Sequence, residues 1–400
     1  MKDEKKAPKL RFKGFTDDWE QCKLGDVCEE VSGNNGNVKG LPILTISAAN
    51  GWMNQKDRFS QVIAGNELKK YTLLKKGHLA YNHGNSKQAK YGTVFVQNLY
   101  DQALVPRVYH SFKMKTENNP YYVEYYFATK KLDRELARLV TSGARMDGLL
   151  NINKKDFFKI KFEVPTPVEQ SLIGTILQKL DQTITLHEEK KRQLERLKSA
   201  LLQKMFADKS GYPPVRFEGF SDKWEQVKYG EIFQRRSKMG VSTPTLPSVE
   251  YDDINPGMGT LNKEPKSKGI SKRGIYFNPG DVLFGKLRPY LKNWLFACFE
   301  GVAVGDFWVL TSSKIDHGFT YSLIQTPGFQ YIANLSSGSK MPRSDWGLVS
   351  NARTFIPINH LEQERISSVL FGLDHAITLY EHKLEILNKI KSFLLQNMFI

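Results

Sequence analysis

Two runs of the chain carry side chains suited to the edges and phosphates of a nucleic acid. Asn82 to Tyr91 (NHGNSKQAKY) offers Asn82, Asn85, Lys87, Gln88 and Lys90. Gly285 to Lys292 (GKLRPYLK) offers Lys286, Arg288 and Lys292, with Arg235 and Arg236 upstream and Lys340 and Arg343 downstream. Asn and Gln amides present a donor and an acceptor together, as a base edge requires, while Lys and Arg neutralise phosphates. A solvated basic loop is the plain alternative for each run, and Tyr91 or Tyr290 could equally be a packing residue.

Catalytic constellations are poorer. Asp253 followed by Glu264, Pro265 and Lys266 has the outline of a nuclease metal site, but that site needs its Glu and Lys on a paired strand, where proline removes a ladder donor. Asn119-Pro-Tyr-Tyr122 approaches the Asn-Pro-Pro-Tyr motif of DNA amino-methyltransferases, yet lacks the second proline and any preceding glycine-rich cofactor loop. It reads as the turn that starts a helix over Pro120 to Leu139. Cys22, Cys28 and Cys298 have no zinc or disulfide spacing. The expectation is a binding protein with no catalytic residue, metal or cofactor of its own.

These candidate contacts need rigid elements behind them, and the chain supplies the same two elements twice. Thr166 to Phe206 is a long amphipathic segment that returns from Asn359 to Phe399 at a constant offset, so that Glu169-Gln170 falls on Glu362-Gln363, Asp181 on Asp374 and Met205-Phe206 on Met398-Phe399. Both copies begin with a capping box, Thr166 with Glu169 and Asn359 with Glu362, the first with Pro167 at the first helical position. In the second copy, apolar residues from Ile366 through Leu370, Leu373, Ile377, Tyr380, Leu384, Leu387 and Ile390 to Leu394 recur every three or four positions, the period of a coiled-coil seam. In the first copy His187 and Lys191 interrupt that seam, which resumes at Leu194, Leu197, Leu201 and Met205. A helix of about 40 residues spans about 60 Å, and one apolar stripe on it calls for a partner, for which the other copy is the obvious candidate.

A second repeat, Arg11 to Gln21 (RFKGFTDDWEQ) and Arg216 to Gln226 (RFEGFSDKWEQ), heads each intervening domain. Its Phe12, Phe15, Trp19 and Phe217, Phe220, Trp224 read as apolar anchors. Between head and helix the two domains barely match, but Gly77 and Gly280 each open a strand, and Thr141 to Met146 (TSGARM) aligns with Ser336 to Met341 (SSGSKM). The retained cations Arg145 and Lys340 are candidates for phosphate contact, while residues that differ between the domains could discriminate sequence.

The chain has 400 residues with 58 Lys/Arg against 42 Asp/Glu, a net charge of +16. Up to residue 206 the counts are 35 against 23, leaving 23 against 19 for the rest. That excess points to a polyanionic partner, nucleic acid ahead of a membrane surface. No apolar run reaches membrane-spanning length and the start MKDEKKAPKL has no signal-peptide core, so a cytoplasmic protein is expected.

Taken together, the head motif, the Ser-Gly-x-(Arg/Lys)-Met segments, the Glu-Gln helix starts and the ending Leu-Leu-Gln-x-Met-Phe resemble the specificity subunit of type I restriction-modification enzymes over essentially the whole chain. The resemblance implies an α+β fold in which two α/β target-recognition domains alternate with two long helices paired as an antiparallel coiled coil, a pseudo-two-fold internal repeat. On that pattern residues 1–163 are the first recognition domain with its head, 164–207 the first spacer helix, 208–355 the second domain and 356–400 the second helix. Each domain would read one half of a split target in double-stranded DNA. Methylation with S-adenosylmethionine would belong to two modification subunits, and translocation and cleavage with ATP and Mg to restriction subunits. The family's base contacts vary, so none is carried over. Competing readings are a stand-alone DNA-binding regulator, which a helix pair joining unlike readers disfavours, and a fused nuclease or methyltransferase, which the missing motifs disfavour.

Overall fold

The computed structural model describes residues 7–34, 40–59, 65–84, 86–115, 117–141, 150–264, 271–335 and 341–400. It divides into two compact units, one of residues 1–186 with 385–400 and one of residues 187–384. The division falls inside both long helices, Pro167–Lys204 and His360–Asn397, so each unit holds a domain, the first half of the helix that follows it and the second half of the other helix.

In the first unit a four-stranded antiparallel sheet runs in the order Cys28–Glu30, His110–Met114, Leu79–Asn82, Thr93–Val96. The second unit repeats this order with Gln234–Arg235, Phe307–Thr311, Val282–Gly285 and Trp294–Phe296. Each central strand is entered through a glycine in the left-handed region, Gly77 and Gly280, both at φ +86°, where a side chain would be strained. The head strand closes each domain against the strand before the long helix, Glu20 opposite Val164 and Glu225 opposite Ile356. Two sequences with few identities thus build one scaffold.

The helix expected over Pro120 to Leu139 is broken in two, Pro120–Ala128 and Asp133–Leu139. The Thr129 hydroxyl donates to the Tyr126 carbonyl at 2.6 Å and Lys130 takes φ +63°, which ends the first segment. At its start, Asn119 accepts from the Tyr121 amide at 2.9 Å with Pro120 next in line. The Asn-Pro-Tyr-Tyr segment is a helix cap.

Head motif and helix start form one joint. Arg11 places Nε and Nη2 on the two oxygens of Glu169 at 2.7 and 2.8 Å, and Arg216 does the same to Glu362 at 2.7 and 2.9 Å. Glu169 is 0% and Glu362 1% exposed. The neighbouring glutamines complete it: Gln170 accepts from the Asn119 amide at 3.2 Å and donates to the Pro165 carbonyl at 3.0 Å, and Gln363 accepts from Asp316 at 2.7 Å and donates to Pro357 at 2.8 Å. The expected capping boxes are therefore half made. Thr166 and Asn359 do accept from backbone amides, those of Glu169 and Leu361. The glutamates, however, turn to the arginine forks, which match a carboxylate bidentately and with more charge than a single amide offers.

Within each unit the helix halves run antiparallel. In the second unit Lys191 meets Glu381 at 3.2 Å and, further along, Lys198 meets Asp374 at 2.5 Å. In the first unit Lys391 meets Asp181 at 2.6 Å, the same pairing with the roles of the copies exchanged. The polar interruption at His187 and Lys191 is matched across the pair, His187 lying 5.4 Å from the Tyr380 ring. One seam assignment is corrected twice over: Leu197 and Ile390 are 47% and 43% exposed, and Lys198 and Lys391 take the seam instead. A straight helix at 3.6 residues per turn drifts from a fixed heptad, and an aspartate opposite makes lysine acceptable there.

Each helix ends inside a core. Met398 and Phe399 are buried in the first unit's core and Met205 and Phe206 in the second's. Phe399 stacks on Tyr122 at 5.4 Å and meets Tyr126 edge-on at 5.7 Å; Phe206 stacks on Phe319 at 5.5 Å and meets Trp224 edge-on at 6.3 Å.

Candidate nucleic-acid interface

In the second domain the cationic residues converge around the end of the central strand Val282–Gly285. The turn that follows is tied to the segment near 343: Arg288 N donates to the Pro342 carbonyl at 2.7 Å and Ser344 N to the Lys286 carbonyl at 2.8 Å. Asp306 gathers Arg343 at 2.9 Å and Lys286 at 3.7 Å. Both pairs sit at the surface, where such contacts are weak and screened, so either cation can be given up to a phosphate. Arg288 and Lys292 are exposed.

Beside this cluster a groove of about 920 Å³ is lined by Arg235, Arg236, Lys286, Trp308, Trp346 and Asn351, among others. Arg235 lies over the Trp346 ring at 4.6 Å. Arg236 has a different occupation, because both arms of its fork hold the buried carboxylate of Asp281, which also accepts from the Asn278 amide at 2.7 Å. Its geometry is that of a brace for the Gly280 turn.

The first domain presents a different set on the same scaffold. Lys87, Gln88 and Lys90 are exposed, with Lys90 over the Tyr91 ring at 5.5 Å. Asn82 is half-buried and its amide is engaged at both ends, donating to the Ile46 carbonyl at 3.2 Å and accepting from the Gly84 amide at 3.1 Å. Where the second domain sets Arg235 against Trp346, the first sets Glu30 against Lys154 at 2.8 Å. Tyr91 packs against the core and its carbonyl accepts from the Tyr81 hydroxyl at 2.6 Å, whereas Tyr290 is exposed. Asn85, Arg145 and Lys340, with most of the two Ser-Gly segments, lie outside the described residues.

Groups with catalytic potential are tied into the scaffold. His83 and His110 lie with rings 4.5 Å apart and bond to the Leu150 and Ile152 carbonyls. Burial, with His83 alongside, pushes His110 down to about 3 and keeps it neutral. Burial pushes the Glu124 carboxyl up to about 7 while it accepts from the Val96 amide. Asp253 is buried, accepts from the Glu250 amide at 2.9 Å and pairs with Lys263 at 3.0 Å; Glu264 is exposed. Among the described residues no three His, Cys, Asp or Glu side chains converge as metal ligands, and no helix is long and apolar enough to cross a membrane.

Residues 16–196 match the family described as the type I restriction modification DNA specificity domain, and the second unit repeats the scaffold and joints of that matched half. Residues 16–196 thus carry a type I restriction-modification specificity domain. Among curated relatives, the MjaVIII specificity subunit of Methanocaldococcus jannaschii is 23% identical over 292 residues, 67% of each chain. The EcoDI specificity subunit of Escherichia coli is 21% identical over 260 residues, 58% of this chain and 55% of that one. The crystal structure of the S subunit of a type I restriction-modification system from M. genitalium shares the fold along 98% of this chain and 99% of its own, with a TM-score of 0.65 at 14% identity.

What sequence reading missed are the joints: Arg11 with Glu169, Arg216 with Glu362, and Lys198 and Lys391 with their aspartates. A signal for them was present. Each partner is repeated in both halves although the domains between are not, as a structural pair would require.

Proposed function

We propose that this chain reads an asymmetric two-part target in double-stranded DNA, one half per domain, as the DNA-recognition subunit of a type I restriction-modification complex. The observation that carries the reading is a single strand order holding two unlike sets of polar and cationic side chains, exposed Lys87, Gln88 and Lys90 on one domain and exposed Arg235, Arg288, Lys292 and Arg343 with half-buried Lys286 on the other. A shared scaffold fixes how DNA is approached, and the differing side chains decide which bases are accepted. The chain's own part is recognition. Methyl transfer with S-adenosylmethionine falls to two modification subunits, and translocation and cleavage with ATP and Mg to restriction subunits, all acting in the cytoplasm. Exposed apolar residues on the helices, Val168, Leu172, Ile176 and Leu197 on the first and Ile386, Ile390 and Phe393 on the second, offer surface for docking the modification subunits.

Mapping methylated adenines genome-wide with and without this gene tests the reading. The expected motif has two unlike halves around a spacer, and exchanging residues 225 to 355 for another such domain changes one half alone. A continuous or palindromic motif overturns it.

The helix pair is expected to set the spacer. Seven residues inserted at matching levels of the two helices, after His187 and before Glu385, keep every cross-helix ion pair described above in register. They add about 10 Å, equivalent to roughly three base pairs. Methylome mapping should return both half-sites unchanged with a spacer longer by about three base pairs; the original spacer in a folded, active complex would show that the helices are no ruler.

A further inference from the structure

We propose that the turn Arg288 to Lys292 is a rigid wedge that enters a groove of the DNA, with Tyr290 and Leu291 against one base step and Arg288 and Lys292 on the phosphates beside it. The inference rests on the reading above and gives the second half-site a residue-level determinant.

The backbone carries the first part of the argument. Among the described residues the non-glycine positions with positive φ are Lys130, Arg288 and Lys292, the last two at +49° and +58°, and these two flank one short 3-10 turn, Pro289–Leu291. Glycine takes this conformation freely, whereas a side-chain-bearing residue is held there only by its surroundings. The surroundings are present. Arg288 N is bonded to Pro342 O, Lys292 N to Pro289 O at 2.9 Å, and the Lys292 carbonyl accepts from Gly257 N at 2.8 Å. Leu287 N donates to the Tyr251 hydroxyl at 3.2 Å, which itself donates to the Asp306 carbonyl. A merely solvated loop would have no use for two cations at positions that glycine fills without strain, so the argument runs from the outliers to a use for their side chains.

The tip carries the second part. Pro289 is buried and anchors the turn, yet Tyr290 is 54% and Leu291 43% exposed, an aromatic and an aliphatic side chain held out between cations. Lys286 and Arg343 lie behind them. Charge complementarity selects the occupant: an apolar tip in a ring of four cations suits a polyanion whose backbone takes the charges and whose interior is apolar. Apolar side chains of this kind lie against thymine methyls or wedge between base pairs. The corresponding run of the first domain turns its Tyr91 inward, so the device belongs to the second half-site alone.

The test uses the full chain with its modification subunits, in a host lacking other adenine methylation. Tyr290→Ala/Leu291→Ala should leave the first half-site and the spacer intact and make one or two adjacent positions of the second half-site degenerate, with discrimination there falling about tenfold. Arg288→Gly, which suits the backbone and removes the cation, should weaken binding to all sequences alike and reduce the salt slope by about one. The melting temperature of the double variant should stay unchanged. A fall in it would assign Tyr290 and Leu291 to packing and overturn the proposal, as would, for the double variant, an unaltered second half-site or an equal loss of binding to every sequence. If the unmodified chain directs no two-part methylation at all, the failure is that of the underlying reading and not of the wedge.

Discussion

Removal of Met398, Phe399 and Ile400 is expected to unfold the first domain while the second remains folded. Met398 and Phe399 are buried among the first unit's core residues; Lys131 donates to the Phe399 carbonyl at 2.8 Å and the Tyr126 hydroxyl reaches the Ile400 carbonyl at 3.4 Å. Emptying a buried phenylalanine site costs about 3 to 5 kcal/mol and a buried methionine site about 2 to 5, against a total stability of about 5 to 15 kcal/mol for a domain. Phe399→Ala alone should cost about 3 to 5 kcal/mol of that loss, and Phe206→Ala should mirror it in the second domain. Hydrogen exchange followed by peptide mapping distinguishes the two cases: the truncation should expose amides of Tyr122 to Phe127 and leave those of Phe319 to Ile324 protected. Equal protection in both helices would mean that the helix end only decorates the core.

Arg11→Met should cost about 3 to 5 kcal/mol, because it leaves the carboxylate of Glu169 buried with its bidentate partner gone. The double variant Arg11→Met/Glu169→Leu should recover most of that loss, since a buried pair replaced by apolar groups of similar volume is often near neutral. Denaturant midpoints read both values. A single variant as stable as the parent would mean water reaches Glu169, and a double variant no better than the single would mean the pair positions the head through geometry that apolar groups cannot supply. Arg216 and Glu362 form the matching joint in the second domain, with the Trp224 indole also donating to Glu362 at 3.3 Å, so a somewhat smaller loss is expected there.

The order of elements was legible because repetition and periodicity act locally. Thr166 with Pro167 and Asn359 mark the helix starts within a residue of Pro167–Lys204 and His360–Asn397, and the strands at Thr93–Val96 and Val282–Gly285 stand out as apolar runs. Long-range partners were harder to see. Glu169 three residues after a threonine satisfies the rule for a capping box, and nothing near it discloses an arginine 158 positions away. Leu197 fits the seam better than Lys198 until Asp374 is placed opposite. Among the candidate contacts, charge and placement singled out Arg288, Lys292 and Arg343, which the fold leaves exposed, but Arg236 could not be told from them without Asp281, nor Asn82 without the Ile46 carbonyl, because an engaged side chain looks the same in a sequence as an exposed one.

The exchange of helix ends between the two units also sets a timetable for synthesis. A ribosome that has just made the helix after the first domain has not yet made the Phe399 that lies on Tyr122 and Tyr126 in its core; ~200 further residues must follow, about 10 to 40 s at ordinary elongation rates. The second domain receives Phe206 before its own sheet is translated and can close as it emerges. The domain made first is therefore the one that finishes last, and during that interval its aromatic cleft is open to chaperones and proteases. A stop codon late in the last helix would therefore leave the first domain without Met398 and Phe399 while the second keeps Met205 and Phe206, a chain with one finished domain and one open cleft.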